Sequence, residues 1–364
     1  MSKKKLVKIY DSINTSYKSE LGKVAFASPS NIALIKYWGK RPVQIPENAS
    51  LSFTLNECKT ETSIHYKKSK QLNSNFKFEF IFEGKPKPDF EPKILTFLKR
   101  IEPYCKFLKD FEFVINSKNT FPHSSGIASS ASGMSALAMC FVEIENQLGG
   151  SLSLEEQKEK ASFLARLGSG SACRSINGPI TVWGSHTKIK GSSNEFAIPF
   201  TGKIHEIFEN YQDTILLIDK GEKQVSSTVG HDLMHGHPFA ENRFKQANTN
   251  LSKITEVLRN GSINEFIEIV ESEALTLHAM MMTSLPYFIL MKPNTLKVIN
   301  KIWEFRKETN IPVCFTLDAG ANVHVLYPIK YKDDVITFIN TDLANECQNG
   351  HYICDCVGNG VKKL

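Results

Sequence analysis

Apolar and polar residues alternate with a period of two over 76–82, FKFEFIF, and less regularly over 23–28, 51–55, 61–66 and 111–117. That is the pattern of strands with one face on a core. Helical spacing takes over at 91–102, 128–147 and 153–166, and the segment from Ser129 is rich in Ala, Met and Leu. Strand signals return at 179–184, 194–198 and 214–219. Three long amphipathic helical stretches follow at 238–259, 262–282 and 294–309, then strands at 312–317 and 322–327. The order is mixed rather than a repeating βαβ unit, which predicts an α+β chain in preference to a doubly wound parallel sheet.

Strand-rich sequence gives way to helix-rich sequence near 200–212. At 364 residues the chain exceeds the usual single core, so two domains are expected, 23–205 and 206–364, with 1–22 as an extension. No internal repeat or low-complexity tract stands out beyond the lysine cluster at the start.

Hydrophobic residues at 41% and charged residues at 23% fit an ordinary globular protein. Net charge is +6, but basic and acidic residues are interleaved, so no stripe forms for nucleic acid and anionic small molecules are the expected partners. The basic start has no apolar run behind it and no segment nears eighteen consecutive apolar residues, which points to a cytoplasmic protein with no membrane partner. The 8 cysteines are scattered and read as reduced structural thiols.

Two loops carry candidate chemistry. PHSSGIASSASG, from Pro122 to Gly133, places Gly126 and the hydroxyls of Ser124, Ser125, Ser129 and Ser130 between a strand and a helix. Unpartnered N–H groups and the dipole at a helix start suit a polyphosphate, and one of the hydroxyls could ligate Mg2+. A serine-rich helix cap has the same composition. There is no GxxxxGK[ST] sequence, so a Walker A loop is excluded. GSGSACRS, from Gly168 to Ser175, again joins small residues to a cation, Arg174, whose fork suits a carboxylate or phosphate; a turn with a surface arginine is the alternative.

SPSNIALIKYWGKR, from Ser28 to Arg41, gathers Lys36, Lys40 and Arg41 around Tyr37 and Trp38, as an anion site or an amphipathic edge strand would. FTLDAGANVHV, from Phe315, ends an apolar strand on Asp318, a position suited to a catalytic acid and also to an Asx turn. His231, Asp232, His235 and His237 hint at a metal, but only His231 and His235 share a helix face and Pro238 follows at once. Surface or capping roles are expected there.

Taken together and in this order, these segments, with ENASLSFTL from Glu47 and KQVSST from Lys223, resemble the GHMP superfamily of small-molecule kinases, specifically its mevalonate diphosphate decarboxylase branch. The similarity spans about residues 23–330. It implies a two-domain α+β fold, GHMP-type in both halves, with ATP, Mg2+ and (R)-5-diphosphomevalonate in a cleft between the domains, and a homodimer. By position it makes Asp318 the catalytic aspartate and Lys36 the lysine beside it. Tyr37, Lys40, Ser169 and Ser171 match diphosphate-binding positions, Arg174 faces the substrate carboxylate, and Asn31 belongs to the same shell. Ser129 and Ser130 match ATP-loop hydroxyls, Ser129 being the candidate Mg2+ ligand, and Ser227 lies near the transferred phosphate. The implied reaction gives isopentenyl diphosphate; a kinase that stops at a phosphorylated hydroxy acid, or a decarboxylase preferring the monophosphate, are the alternatives. Two departures stand out: His123-Ser124-Ser125 where many relatives have Thr-Ala-Ala, and Ala321 in place of a common proline. Neither removes a reacting group.

Overall fold

The computed structural model describes residues 17–70, 75–122, 127–219 and 227–364. Its first sheet is organised by two long strands, β1 (Leu21–Ile35) and β4 (Ser50–Lys68). Each joins sequence the apolar pattern left in pieces. The two expected runs of β4 are each paired on both sides, by β1 and by β7 (Phe111–Asn119) over Thr60–Lys68, and by β1 and β8 (Ile180–Trp183) near Ser50–Phe53. In the polar stretch between them β1 pairs only at Lys59 and Thr60, and the Asp355 carboxylate takes the N–H groups of residues 56–58. Between β1 and β4 come the short β2 (Lys40–Arg41) and β3 (Ile45–Pro46), which pair with each other. Beyond β7 lie β5 (Lys77–Phe82), parallel to it, and β6 (Lys85–Pro86), while β9 (Ile198–Pro199) extends β8. The register of β1 slips between Pro29 and Asn31 and again between Ala33 and Ile35. Such irregularities twist a strand and re-aim the side chains that follow.

One face of this sheet is covered by helices. α3 (Leu154–Gly168) packs against both α1 (Glu91–Ile101) and α2 (Ser129–Gln147), and the residues of α2 are buried nearly all round. Its small side chains let it lie close to the strands. The hydroxyls this brings inside find partners, Ser135 with Ser28 at 2.5 Å and Ser132 with Thr60 at 2.6 Å, as buried polar groups require. α3 starts on a capping box in which Ser153 and Glu156 satisfy each other's backbone.

The second sheet is antiparallel throughout, in the order β11 (Cys314–Thr316), β12 (Val323–Tyr327), β10 (Gln212–Leu216), β13 (Tyr352–Cys356). With it go the short α4 (Ser227–Asp232), α5 (Ala240–Asn260), α6 (Ile263–Met282), α7 (Pro293–Thr309) and α8 (Lys332–Phe338). α5 stops at Gly261 and α7 at Asn310, both left-handed. β13 was not legible in the sequence: its residues are mostly half-buried, and its strand character comes from pairing with β10.

Apolar packing runs through both halves. Phe97, Phe113 and Phe141 fill the space between the first sheet and its helices, and Val298, Ile302 and Phe315 do the same under the second. A third cluster joins Leu51 and Phe53 of β4 to Tyr211, Leu251 and Phe266 of the second half. Polar ties reinforce it. The Asp355 carboxylate of β13 accepts the N–H groups of Asn56, Glu57 and Cys58, each at 2.8 Å, and the final strand β14 (Lys362–Lys363) pairs back onto β1. All eight cysteines are unpaired, six of them buried. Among the described residues no helix is long and apolar enough to cross a membrane.

Candidate active site

β1 delivers Lys36 one residue past its end, into a cleft between the two halves. Asp318 enters from the opposite side, two residues beyond β11. Lys36 Nζ donates to Asp318 Oδ1 at 3.0 Å, with the lysine side chain 2% exposed and the aspartate 30%. Burial pushes the Lys36 ammonium below its ordinary value, and Asp318 opposes that shift without cancelling it. Burial pushes Asp318 up, but the charges of Lys36, His324 and Arg174 and the Lys36 hydrogen bond outweigh it, holding the carboxyl below the usual carboxylate value.

A cavity of about 280 Å³ opens over this pair. Its walls include Lys36, Tyr37, Lys40, Ser130, Ser169, Ser171, Arg174 and Asp318, all singled out by sequence. Arg174 is 4% exposed and braced from behind, its Nε donating to Asn31 Oδ1 at 3.1 Å and its Nη1 to Ser50 Oγ at 3.0 Å. Nη2 has no partner among the described residues, so that edge of the fork is presented to the cavity. Asn31 therefore stands behind the wall and not in it: its Nδ2 donates to Ser175 Oγ at 2.7 Å and to the Ser171 carbonyl at 3.2 Å, fixing its amide toward Arg174. Tyr37 lies beneath the Arg174 guanidinium at 5.5 Å and against Trp183 at 4.7 Å, and burial pushes its phenol up.

The α2 N-terminus fits a polyphosphate. Ala128, in the left-handed region at φ 45°, precedes the helix, and no side chain caps it. Ala128 and Ser130 both line the cavity, so the uncapped helix start faces it, with Lys40 and Lys93 on the same walls. Ser129 opens the helix half-buried, beside the lining residues and not among them. Mg2+ fits as well: one carboxylate, Asp318, and serine hydroxyls are the oxygen donors here, and this ion characteristically takes few protein ligands and completes its shell with phosphate and water. Ser124, Ser125 and Gly126 fall outside the described residues, and of Ser227 it is described only that it begins α4.

The histidine cluster needs correcting. His231 is not a surface group: it is 5% exposed, stacked on Tyr37 at 4.5 Å and tilted against Trp38 at 4.4 Å, with its Nδ1 accepting the Gly39 N–H at 3.0 Å. Burial, with Lys40 and Arg174 nearby, pushes it down to about 3, so it is a neutral wall of the cavity. The reason is aromatic packing that spacing along the chain does not reveal. His237 is buried as well, its Nδ1 accepting the Phe239 N–H at 3.1 Å, and His235 meets the Lys40 carbonyl at 3.0 Å. Among the described residues no set of three metal-ligating side chains gathers. Sequence reading also missed Lys93 and Gln44 on the walls. Lys93 sits on the polar face of α1, where nothing distinguishes it from any solvated lysine.

Family models match both halves: the diphosphomevalonate decarboxylase-like N-terminal domain over residues 28–195 and the mevalonate 5-diphosphate decarboxylase C-terminal domain over 214–358. Among solved structures, MDDEF in complex with MVAPP, AMPPCP and magnesium is 30% identical with a TM-score of 0.79, over 94% of this chain and 99% of that one. Mevalonate diphosphate decarboxylase from Staphylococcus aureus is 27% identical with a TM-score of 0.80, over 94% and 98%. Diphosphomevalonate decarboxylase from Debaryomyces hansenii is 28% identical over 86% of this chain and 81% of its own. With near-complete coverage on both sides and the same two-part α+β architecture, this chain belongs to the mevalonate diphosphate decarboxylase family.

Proposed function

We propose that the chain catalyses the ATP-dependent decarboxylation of (R)-5-diphosphomevalonate to isopentenyl diphosphate, releasing ADP, phosphate and carbon dioxide. The observation that carries this reading is the Lys36–Asp318 pair at 3.0 Å, a buried lysine on a carboxylate that faces a cavity, where the open edge of Arg174 and an uncapped helix start also lie. A kinase site needs the phosphate subsite and an acid near the hydroxyl. A decarboxylase also needs a cation to hold the carboxylate, and Arg174 answers that need.

In the first step Asp318 orients the C3 hydroxyl toward the γ-phosphoryl group of ATP and takes up its proton as the new O–P bond forms and the bond to ADP breaks. A carboxylate is a weak base, so this proton moves late, which a loose phosphoryl transition state permits. Lys36 keeps Asp318 ionised and neutralises charge on the group in flight. Mg2+, when bound with ATP, supplies further neutralisation of the phosphate oxygens. In the second step the C3–O bond breaks with phosphate as leaving group. The electron pair of the bond between C2 and the carboxylate becomes the double bond, and carbon dioxide departs. Arg174 holds the carboxylate so that the two breaking bonds align, and Asp318 hands its proton to the departing phosphate, so that its restored charge favours the positive character developing at C3.

Tyr37, Lys40, Ser169 and Ser171 are assigned to the substrate diphosphate and Asn31 to the bracing of Arg174. Ser124, Ser125, Gly126, Ser129 and Ser130 are assigned to ATP, with Ser129 the Mg2+ ligand, and Ser227 to the transferred phosphate. The division into 23–205 and 206–364 is supported by the step from one sheet to the other between β9 and β10. A cytoplasmic setting is supported by the unpaired cysteines, and the homodimer by family resemblance. The deciding assay follows ADP and carbon dioxide together, with mevalonate diphosphate, its monophosphate and mevalonate as substrates. One carbon dioxide per ADP with the diphosphate is expected. ADP without carbon dioxide would make the protein a kinase, and a preference for the monophosphate would reassign the substrate.

A further inference from the structure

Lys36 is the first residue past β1, so its peptide N–H and C=O have left the sheet ladder and need other partners. Side chains supply them, chiefly from the second half. Glu273 of α6 accepts the Lys36 N–H at 2.9 Å. Arg243 of α5 donates to the Lys36 carbonyl at 3.0 Å, and Asn48 does so at 2.9 Å. The two gripping side chains are themselves a forked ion pair, Nη1 to Oε1 at 3.0 Å and Nη2 to Oε2 at 2.5 Å, with Asn250 donating to Oε1 at 2.8 Å. The ion pair and the lysine it grips are dry: Lys36 and Arg243 are 2% exposed and Glu273 0%.

A buried ion pair seldom stabilises a fold better than apolar residues of the same volume. This one does what apolar residues cannot, because Arg243 Nη2 and Glu273 Oε2 each bond both to the other and to one side of the same lysine. α6 acts on Asp318 too: the ring Nε2 of His278, five residues along from Glu273, lies 3.1 Å from the Asp318 carbonyl oxygen. A single helix thus fixes the backbone of both members of the reacting pair.

We infer that Arg243 and Glu273 are positioning residues for Lys36, an ion pair that locks the lysine backbone so that Nζ stays on Asp318. The inference rests on the role given to Lys36 above. Glu273 also favours the Lys36 ammonium by charge, as Asp318 does, against Arg174 on the other side.

The test is Glu273→Gln in the full chain. Turnover should fall about 10- to 100-fold while KM for both substrates holds within about three-fold. The basic limb of the kcat/KM profile should move to lower pH, because Lys36 loses one favourable charge and faces an uncompensated Arg243. Glu271→Gln is the control: on the same helix, Glu271 pairs with Arg306 at 2.7 and 3.1 Å, so its loss should lower stability without moving the pH limb. Arg243→Met combined with Glu273→Leu removes the pair but keeps the volume. It should fold and still turn over slowly. Turnover by Glu273→Gln within about three-fold of wild type with an unmoved limb would overturn the inference. Should Glu273→Gln not fold, the double variant decides, and wild-type turnover by it would reduce the pair to packing. Lys36→Met separates the two readings: full activity there defeats the role of Lys36 itself, whereas lost activity there with an active Glu273→Gln defeats only the clamp.

Discussion

Replacing Asp318 with Asn tests the reacting pair most directly. The amide has the size of the carboxylate and keeps an oxygen for Lys36, so the cavity retains its shape, but the charge and the proton acceptor are gone. With Nζ and Oδ1 3.0 Å apart, the attraction lost is roughly 5 kcal/mol at an effective dielectric constant of about 20. Only the share that grows toward the transition state bears on rate. If half does, turnover falls about 100-fold, since each decade corresponds to about 1.4 kcal/mol of barrier. Loss of the proton acceptor adds to that, so a fall of two or more decades in kcat is expected. Binding should change little, because the diphosphate, the carboxylate and ATP are held by other groups. Turnover measured by ADP release, beside calorimetric affinities for ATP and mevalonate diphosphate, separates the two effects. Turnover within a few-fold of wild type, or a loss confined to affinity, would refute the role assigned to Asp318.

Three further outcomes are expected. Arg174→Lys loses the fork that bonds Asn31 and Ser50 while pointing Nη2 at the cavity, and should cut kcat/KM for mevalonate diphosphate about 100-fold with ATP affinity unchanged, as steady-state kinetics and calorimetry would show. In Gly170→Ala the new Cβ would meet Tyr37 Oη at 2.7 Å and Trp183 Cη2 at 2.9 Å, pushing Tyr37 into the substrate space. A loss of about 1–3 kcal/mol in urea unfolding and a raised KM for the diphosphate substrate should follow. His278 is pushed by burial from 6.5 to about 4, so the unfolded chain binds its proton first as pH falls. Its contribution to stability is fully present above pH 6.5 and is lost progressively toward about pH 4. His278→Gln should flatten the fall in urea midpoint over that window.

Much of this protein was legible in order of sequence. The α2 segment announces itself by its run of small helix formers after serines, and the three later helices by their apolar spacing. Asp318 at a strand end, Arg174 among glycines, and Lys36 beside two aromatics each carried a chemical hint and each had an ordinary alternative. Local pattern determines such things because propensity, capping and periodicity act over a few residues. What pattern left open was decided by packing. Lys36 and Asp318 are 282 positions apart, and only the meeting of the two halves turns a basic segment and a turn aspartate into one ion pair. The same meeting buries His231 against two rings, closes the cavity that Lys93 borders, and places Arg243 and Glu273 on either side of Lys36. None of these has a local signature, because desolvation and charge pairing depend on what lies across a cleft, and that is set by the tertiary fold.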